Sequence, residues 1–201
     1  MNYYKIKVSF NDYPSKLNRT LLINKDMNLF NLGWVIGESF KFEFSHQFMF
    51  ILNNMQFCSK EMLDNSYDEE MYDYNKVNLS DLNFKKGLKF GFIYDFGEDY
   101  SFTVKILDDN VINDDNYFAK CLSGTGDTIF EDAKDSLLAF FYNEIQEIDG
   151  DNYFYPSNLD YDYDLSTYFN DLDLDDINMM IEENNSELIN EDYDFGSFLK
   201  Q

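Results

Sequence analysis

Residues 3–10, YYKIKVSF, alternate between apolar and polar positions, and residues 18–24, NRTLLIN, are rich in strand formers. A period of two sends successive side chains to opposite faces of a strand, so both segments are predicted strands. The turn signal Asn11-Asp12-Tyr13-Pro14 between them predicts a hairpin with a longish loop. Over 27–37, Leu29, Leu32, Trp34, Val35 and Ile36 predict a short helix with Asp26 as its N-cap, against the poor helix propensity of Gly33 and Gly37. Residues 46–52, HQFMFIL, read as a buried strand, and the acidic, tyrosine-rich stretch 61–76 has no period and reads as a loop. After a turn at Lys85-Lys86-Gly87 comes the clearest hairpin: strand 88–94, the turn DFGED, and strand 100–107. Residues 108–116 read as an acidic loop. Ala133, Leu137, Leu138, Phe141 and Ile145 predict a helix over 131–146. Residues 149–164 look turn-like, a last helix fits 173–183, and the tail to Gln201 is expected to be loosely held.

Composition turns these pieces into a folded protein. Of the 201 residues 44% are hydrophobic and 19% aromatic, which is ample core material and argues against a disordered chain. The pattern gives an α+β domain over 1–148 and an acidic C-terminal extension over 149–201, packed on it or trailing from it. No signal-peptide-like apolar run opens the chain, and no stretch approaches the length of a membrane span. The expectation is therefore a cytoplasmic protein with no membrane partner, in which Cys58 and Cys121 are reduced thiols.

Charge narrows the choice of partner. The net charge is −24, yet residues 1–105 are close to balance with 12 Lys/Arg against 14 Asp/Glu, whereas 106–201 carry 3 against 25. Such a field repels phosphate backbones, so direct nucleic-acid binding is not expected. Arg19 is the single arginine and His46 the single histidine.

The order of the pieces carries a resemblance. Ser45-His46 followed by Phe48 and Phe50, YDFGEDY at 94–100, and Cys121-Leu122-Ser123-Gly124 followed by Glu131-Asp132 are its most specific parts. Pro14, Arg19, the segment Leu29–Ile36 and Leu174–Ile177 fit more loosely. In this order and spacing the chain, from about Tyr3 to Ile181, resembles the plasmid pRiA4b ORF-3-like family. Some members of that family are described as passengers of insertion elements with a resolvase-style name. The resemblance implies an α+β fold with a β-grasp-like hairpin–helix–strand core, extended by further antiparallel strands, with helices packed on the sheet and an acidic C-terminal helical segment. It implies no defined activity. Its motif residues His46, Asp95, Gly97, Asp99, Cys121, Glu131 and Asp132 are the candidate site. The chain departs from the family pattern at Phe42 and Tyr100, where tryptophan is usual, at Phe102, where histidine is common, and around Thr128–Ala133, where further cysteines and a Pro-Pro pair often stand.

Chemistry excludes more than it nominates. Recombinase-type phosphoryl transfer needs a nucleophilic serine and several arginine forks on the phosphate, and one arginine cannot supply them. His46, Cys121 and Asp95 or Glu131 offer zinc-ligand chemistry without CxxC or paired-histidine spacing; a hydrogen-bonded structural histidine and a buried cysteine are the preferred readings. In DFGED, Gly97 suits the turn while Asp95 and Asp99 suit local backbone hydrogen bonds. The second YDFG, at 193–196, reads as coincidence. Asp171, Asp173, Asp175 and Glu182 match an EF-hand's first, third, fifth and twelfth positions, but Asp176 replaces the required glycine, and Leu172, Leu174, Ile177 and Ile181 fit an amphipathic helix better. No catalytic residue, cofactor or metal is assigned. The leading expectation is a non-catalytic module binding an unknown protein partner. The alternatives are an acidic nucleic-acid mimic that inhibits a DNA- or RNA-binding protein, and a metal-dependent enzyme using His46, Asp95 and Cys121.

Overall fold

The computed structural model describes residues 1–13, 15–66, 70–113, 117–126, 129, 131–132, 134–135, 138, 146–149, 152–154 and 172–188. Its strands are β1 (Asn2–Phe10), β2 (Asn18–Asn24), β3 (Phe48–Leu52), β4 (Met55–Cys58), β5 (Met71–Asp73), β6 (Lys89–Tyr94), β7 (Tyr100–Ile112), β8 (Ala119–Thr125), β9 (Gln146–Asp149) and β10 (Asn152–Phe154). The helices are α1 (Leu29–Ser39), α2 (Lys60–Asp64) and α3 (Leu174–Leu188), with a 3-10 turn at Tyr74–Lys76. Eight strands form one sheet in the order β5-β4-β3-β6-β7-β1-β2-β8, and β9 pairs with β10 apart from it. Every pairing is antiparallel except β4 with β5 at one edge. The hairpin–helix–strand order of the expected core is present, and the β6–β7 hairpin is inserted in mid-sheet between β1 and β3.

Register explains the weight of aromatics. Phe57 faces Phe50, Phe50 faces Phe92, Phe92 faces Phe102 and Phe102 faces Phe10, a row across five strands. Successive ring centroids from Phe50 to Phe10 lie 5.1, 5.8 and 5.4 Å apart at tilted angles, the arrangement that the ring quadrupole favours. Phe102 is buried in this row. Helix α1 lies against the aromatic face and is buried along its whole length. A helix apolar on all sides needs cover on all sides, and α3 supplies part of it with Ile177 and Ile181.

Gly33 and Gly37 fit this helix because of what they touch. A Cβ on Gly33 would stand 2.1 Å from the Phe48 ring, and one on Gly37 would stand 2.3 Å from that of Phe44. Close ring packing outweighs helix propensity here. The N-cap is Asn28, not Asp26: its Oδ1 accepts from Asn31 N–H at 2.8 Å. Arg19 is fully buried. Its Nε donates to Ser39 O at 2.5 Å, its Nη1 donates to Asn18 O and Thr125 O, and the guanidinium lies 4.6 Å over Phe40. The single arginine therefore ties β2, β8 and the end of α1 together.

Other expectations change. The loop over 61–76 contains α2, β5 and the 3-10 turn; α2 buries no residue and so leaves no apolar period to read. Residues 108–112 continue β7, pairing with the start of β1 through register shifts that leave their side chains outward. β4 and β8 went unpredicted. The expected helix over 131–146 falls mostly outside the described residues; Lys134, Asp135 and Leu138 are helical, whereas Gln146 opens β9. Residues 152–154 are strand within the expected turn-like stretch. The last helix begins at Leu174 and runs on to Leu188; Asp173 Oδ1 accepts from the N–H groups of Asp175 and Asp176, an N-capping role that leaves no calcium loop. The second YDFG lies outside the described residues. Both cysteines are free and buried. Among the described residues no helix is long and apolar enough to cross a membrane.

Candidate functional site

Strands β3 and β6 pair with Phe48 opposite Tyr94, so His46, two residues before Phe48, and Asp95, just after Tyr94, reach the same end of the sheet. Asp95 N–H donates to Gln47 O at 3.0 Å, which extends the ladder one step and fixes Asp95 beside the Ser-His segment. The chain then turns sharply. Asp95 and Asp99 both take positive φ, 56° and 55°, with Asp99 N–H donating to Asp95 O at 2.7 Å. The left-handed positions are thus the aspartates, which tolerate that region, and not Gly97. Gly97 is small for another reason: its N–H donates to Asp95 Oδ1 at 2.9 Å, and a Cβ there would stand 3.2 Å from that oxygen. Asp99 Oδ1 accepts from the Ser101 hydroxyl rather than from the backbone.

Glu131 organises the neighbouring loop. Its Oε1 accepts from Glu43 N–H at 2.6 Å, Phe44 N–H at 3.2 Å and the Tyr94 hydroxyl at 2.7 Å, and its Oε2 accepts from the Ser45 hydroxyl. One carboxylate thereby holds a segment in which Lys41 and Phe44 both have positive φ. Tyr94 Oη also accepts from His46 N–H at 3.2 Å. Burial, then the hydrogen bond to Glu131 and that group's charge, push the Tyr94 phenol far above its ordinary range. Tyr94 is a keystone that the sequence reading did not name; its place in YDFG opposite Phe48 was the available signal.

Asp132 follows Glu131 with φ 58° and turns its carboxylate toward His46. His46 Nε2 stands 3.1 Å from Asp132 Oδ1, and Nδ1 stands 3.6 Å from Asp95 Oδ1. The first contact lacks the alignment of a hydrogen bond and the second exceeds its reach. His46 Nε2 and, separately, Asp95 Oδ2 are buried without hydrogen-bond partners. The expected hydrogen-bonded histidine is anchored through its backbone instead. His46, Asp95 and Asp132 offer ligand atoms that all lie within 4.8 Å of one another.

Cys121 does not join them. It sits on β8, four strands from β6, or about 19 Å at the usual strand spacing. Its thiol points to Ser123 O, and burial raises its pKa against a smaller lowering by Arg19, which describes an inert thiol. The structure thus brings together His46, Asp95, Gly97, Asp99, Glu131 and Asp132, and separates Cys121 from them. Phe96 is 44% exposed at the tip of the Asp95–Asp99 turn. Lys134 braces that turn, donating from Nζ to Asp99 O and pairing with Asp12 at 3.2 Å.

A family model described as plasmid pRiA4b ORF-3-like protein matches residues 2–150. The crystal structure of a protein of unknown function from Methanosarcina mazei Go1 is similar at a TM-score of 0.55 and 15% identity, covering 80% of this chain and 98% of that one. At that identity the likeness concerns the fold. No curated protein matches the chain.

Proposed function

We propose that this chain, which belongs to the plasmid pRiA4b ORF-3-like family, is a non-catalytic module that binds a protein partner through the turn carrying Phe96. The observation behind this reading is an aromatic side chain 44% exposed on a turn that its own hydrogen bonds pin. A rigid exposed ring loses little conformational entropy on docking, and aromatics anchor interfaces out of proportion to their number. Glu98 and Asp99 stand on the same turn, so the matching surface is an apolar socket with a basic rim. The acidic-mimic alternative needs rows of carboxylates at phosphate-like spacing, and much of the acidic half lies outside the described residues. Within them, Asp173 caps α3 and Asp176 pairs with Lys41 at 3.0 Å, both tasks within the fold.

A photo-crosslinking phenylalanine analogue at position 96, expressed in the native host, is expected to give a discrete adduct. The same probe at Ile112, 72% exposed and at the far end of β7, is the control. Equal adducts from both positions, or none from either, would overturn the docking surface. The mobile-element link that the resemblance implies, and a cytoplasmic location, belong to the same proposal; the gene neighbourhood tests the first.

A further inference from the structure

We propose that His46, Asp95 and Asp132 bind one divalent first-row transition-metal ion, with zinc the best fit. The alternative is a histidine merely flanked by two carboxylates, and the geometry disfavours it. A charge-assisted hydrogen bond closes to about 2.7–2.9 Å along the N–H direction, whereas these contacts stand at 3.1 and 3.6 Å and neither is an aligned hydrogen bond. Two donors that share an ion at about 2.1 Å each sit about 3.0–3.5 Å apart, which is the separation of His46 Nε2 from Asp132 Oδ1. Asp95 adds an independent observation. Its side chain is 6% exposed, Oδ1 is occupied by the N–H groups of Gly97 and Glu98, and Oδ2 is buried with no partner. A buried, unpaired carboxylate oxygen is costly, and a cation held among these three side chains, whose ligand atoms lie within 4.8 Å of one another, offsets that cost.

The surroundings have the character of a supporting shell. The hydrogen bonds to Asp95 Oδ1 orient its other oxygen, Tyr94 Oη fixes the backbone at His46, and the clamped Glu131 positions the next residue, Asp132. Asp132, with 65% of its side chain exposed, leaves an open side for entry and for water to complete the coordination. The donor set decides the class of ion. One imidazole with two carboxylates suits zinc and its neighbours, whereas calcium and magnesium prefer oxygen-only sets.

The single histidine makes the test direct. Long-range proton–nitrogen NMR of the imidazole is recorded on the full-length chain during zinc titration, with magnesium in large excess to occupy the diffuse acidic surface. The ring nitrogen signals are expected to shift and saturate at one equivalent of zinc. Asp132→Asn, an exposed change that leaves the fold intact by its amide spectrum, should weaken zinc at least 10-fold in chelator competition, and His46→Gln should abolish the one-equivalent site. Unchanged ring signals at one equivalent, or wild-type zinc affinity in both variants, would overturn the site. So would displacement of zinc by the magnesium.

Discussion

Glu131 is the acceptor on which the loop before β3 depends, and its removal tests that dependence quantitatively. Glu131→Ala takes the acceptor from the Tyr94 hydroxyl and Phe44 N–H, which are buried, and from Glu43 N–H and the Ser45 hydroxyl, which are partly buried. Each buried donor left unpaired costs about 1–3 kcal/mol, while the partly buried ones turn to water at little cost. The loss is therefore about 4 kcal/mol, a large share of the roughly 5–15 kcal/mol that holds a domain together. Glu131→Gln separates hydrogen bonding from charge. Its carbonyl oxygen can take over the three bonds made by Oε1, and its amide can donate to Ser45, reversing that bond, so about 2 kcal/mol should be lost. Tyr94→Phe removes one bond of the set and should cost about 1 kcal/mol. Urea unfolding at pH 7 with a common m-value reads all three. Equal losses for the alanine and glutamine variants, or an alanine loss below about 1 kcal/mol, would refute the role of Glu131 as the buried acceptor.

Gly33→Ala should destabilise by about 1–3 kcal/mol in the same assay despite a helix-propensity gain near 1 kcal/mol, because its Cβ would overlap the Phe48 ring. A more stable variant would show that the ring yields. The phenols of Tyr94 and Tyr74 are both raised chiefly by burial, so they keep their protons where the unfolded chain, near pKa 10.0, loses them. Their stabilisation is complete below pH 10 and declines above it, by up to about 1.4 kcal/mol per pH unit for each group; Tyr94→Phe should remove one group's share of that slope between pH 10 and 11. Asn178→Ala should cost about 1 kcal/mol and speed hydrogen exchange at the Cys121 amide, since Asn178 accepts from Cys121 N–H at 2.8 Å and donates to Cys121 O at 3.1 Å. Unchanged exchange would mean that another group protects the edge of β8.

Local patterning carried the segments whose burial alternates. β1 and β6, which show the core one face, differ from expectation by one residue at an end, and β2, buried on both faces, spans the expected residues through its run of strand formers. Elements settled by distant pairing were not legible. β5 exists through parallel pairing with β4, and β8 through pairing with a strand about a hundred residues earlier. His46, Asp95, Glu131 and Asp132 stand in recognisable motifs, as does Cys121, and order along the chain does not separate them because it does not state which end of which strand a residue reaches. Nor does it assign tasks within the DFGED turn, where backbone angles place the strain on Asp95 and Asp99 and leave Gly97 to make room for a carboxylate.

The amide of Asn178 closes the outer backbone of β8 at Cys121, and the two residues are 57 positions apart. A ribosome adding about 5–20 residues per second needs roughly 3–11 s to travel from one to the other. Throughout that interval β8 has its inner neighbour and lacks the Asn178 contacts, so the backbone of Cys121 is open in the nascent chain and closed in the finished protein. Most of the carboxylates of the acidic half are added in the same interval. Mutual repulsion between neighbouring nascent chains on one message therefore grows while that backbone remains open, which opposes edge-to-edge pairing between them.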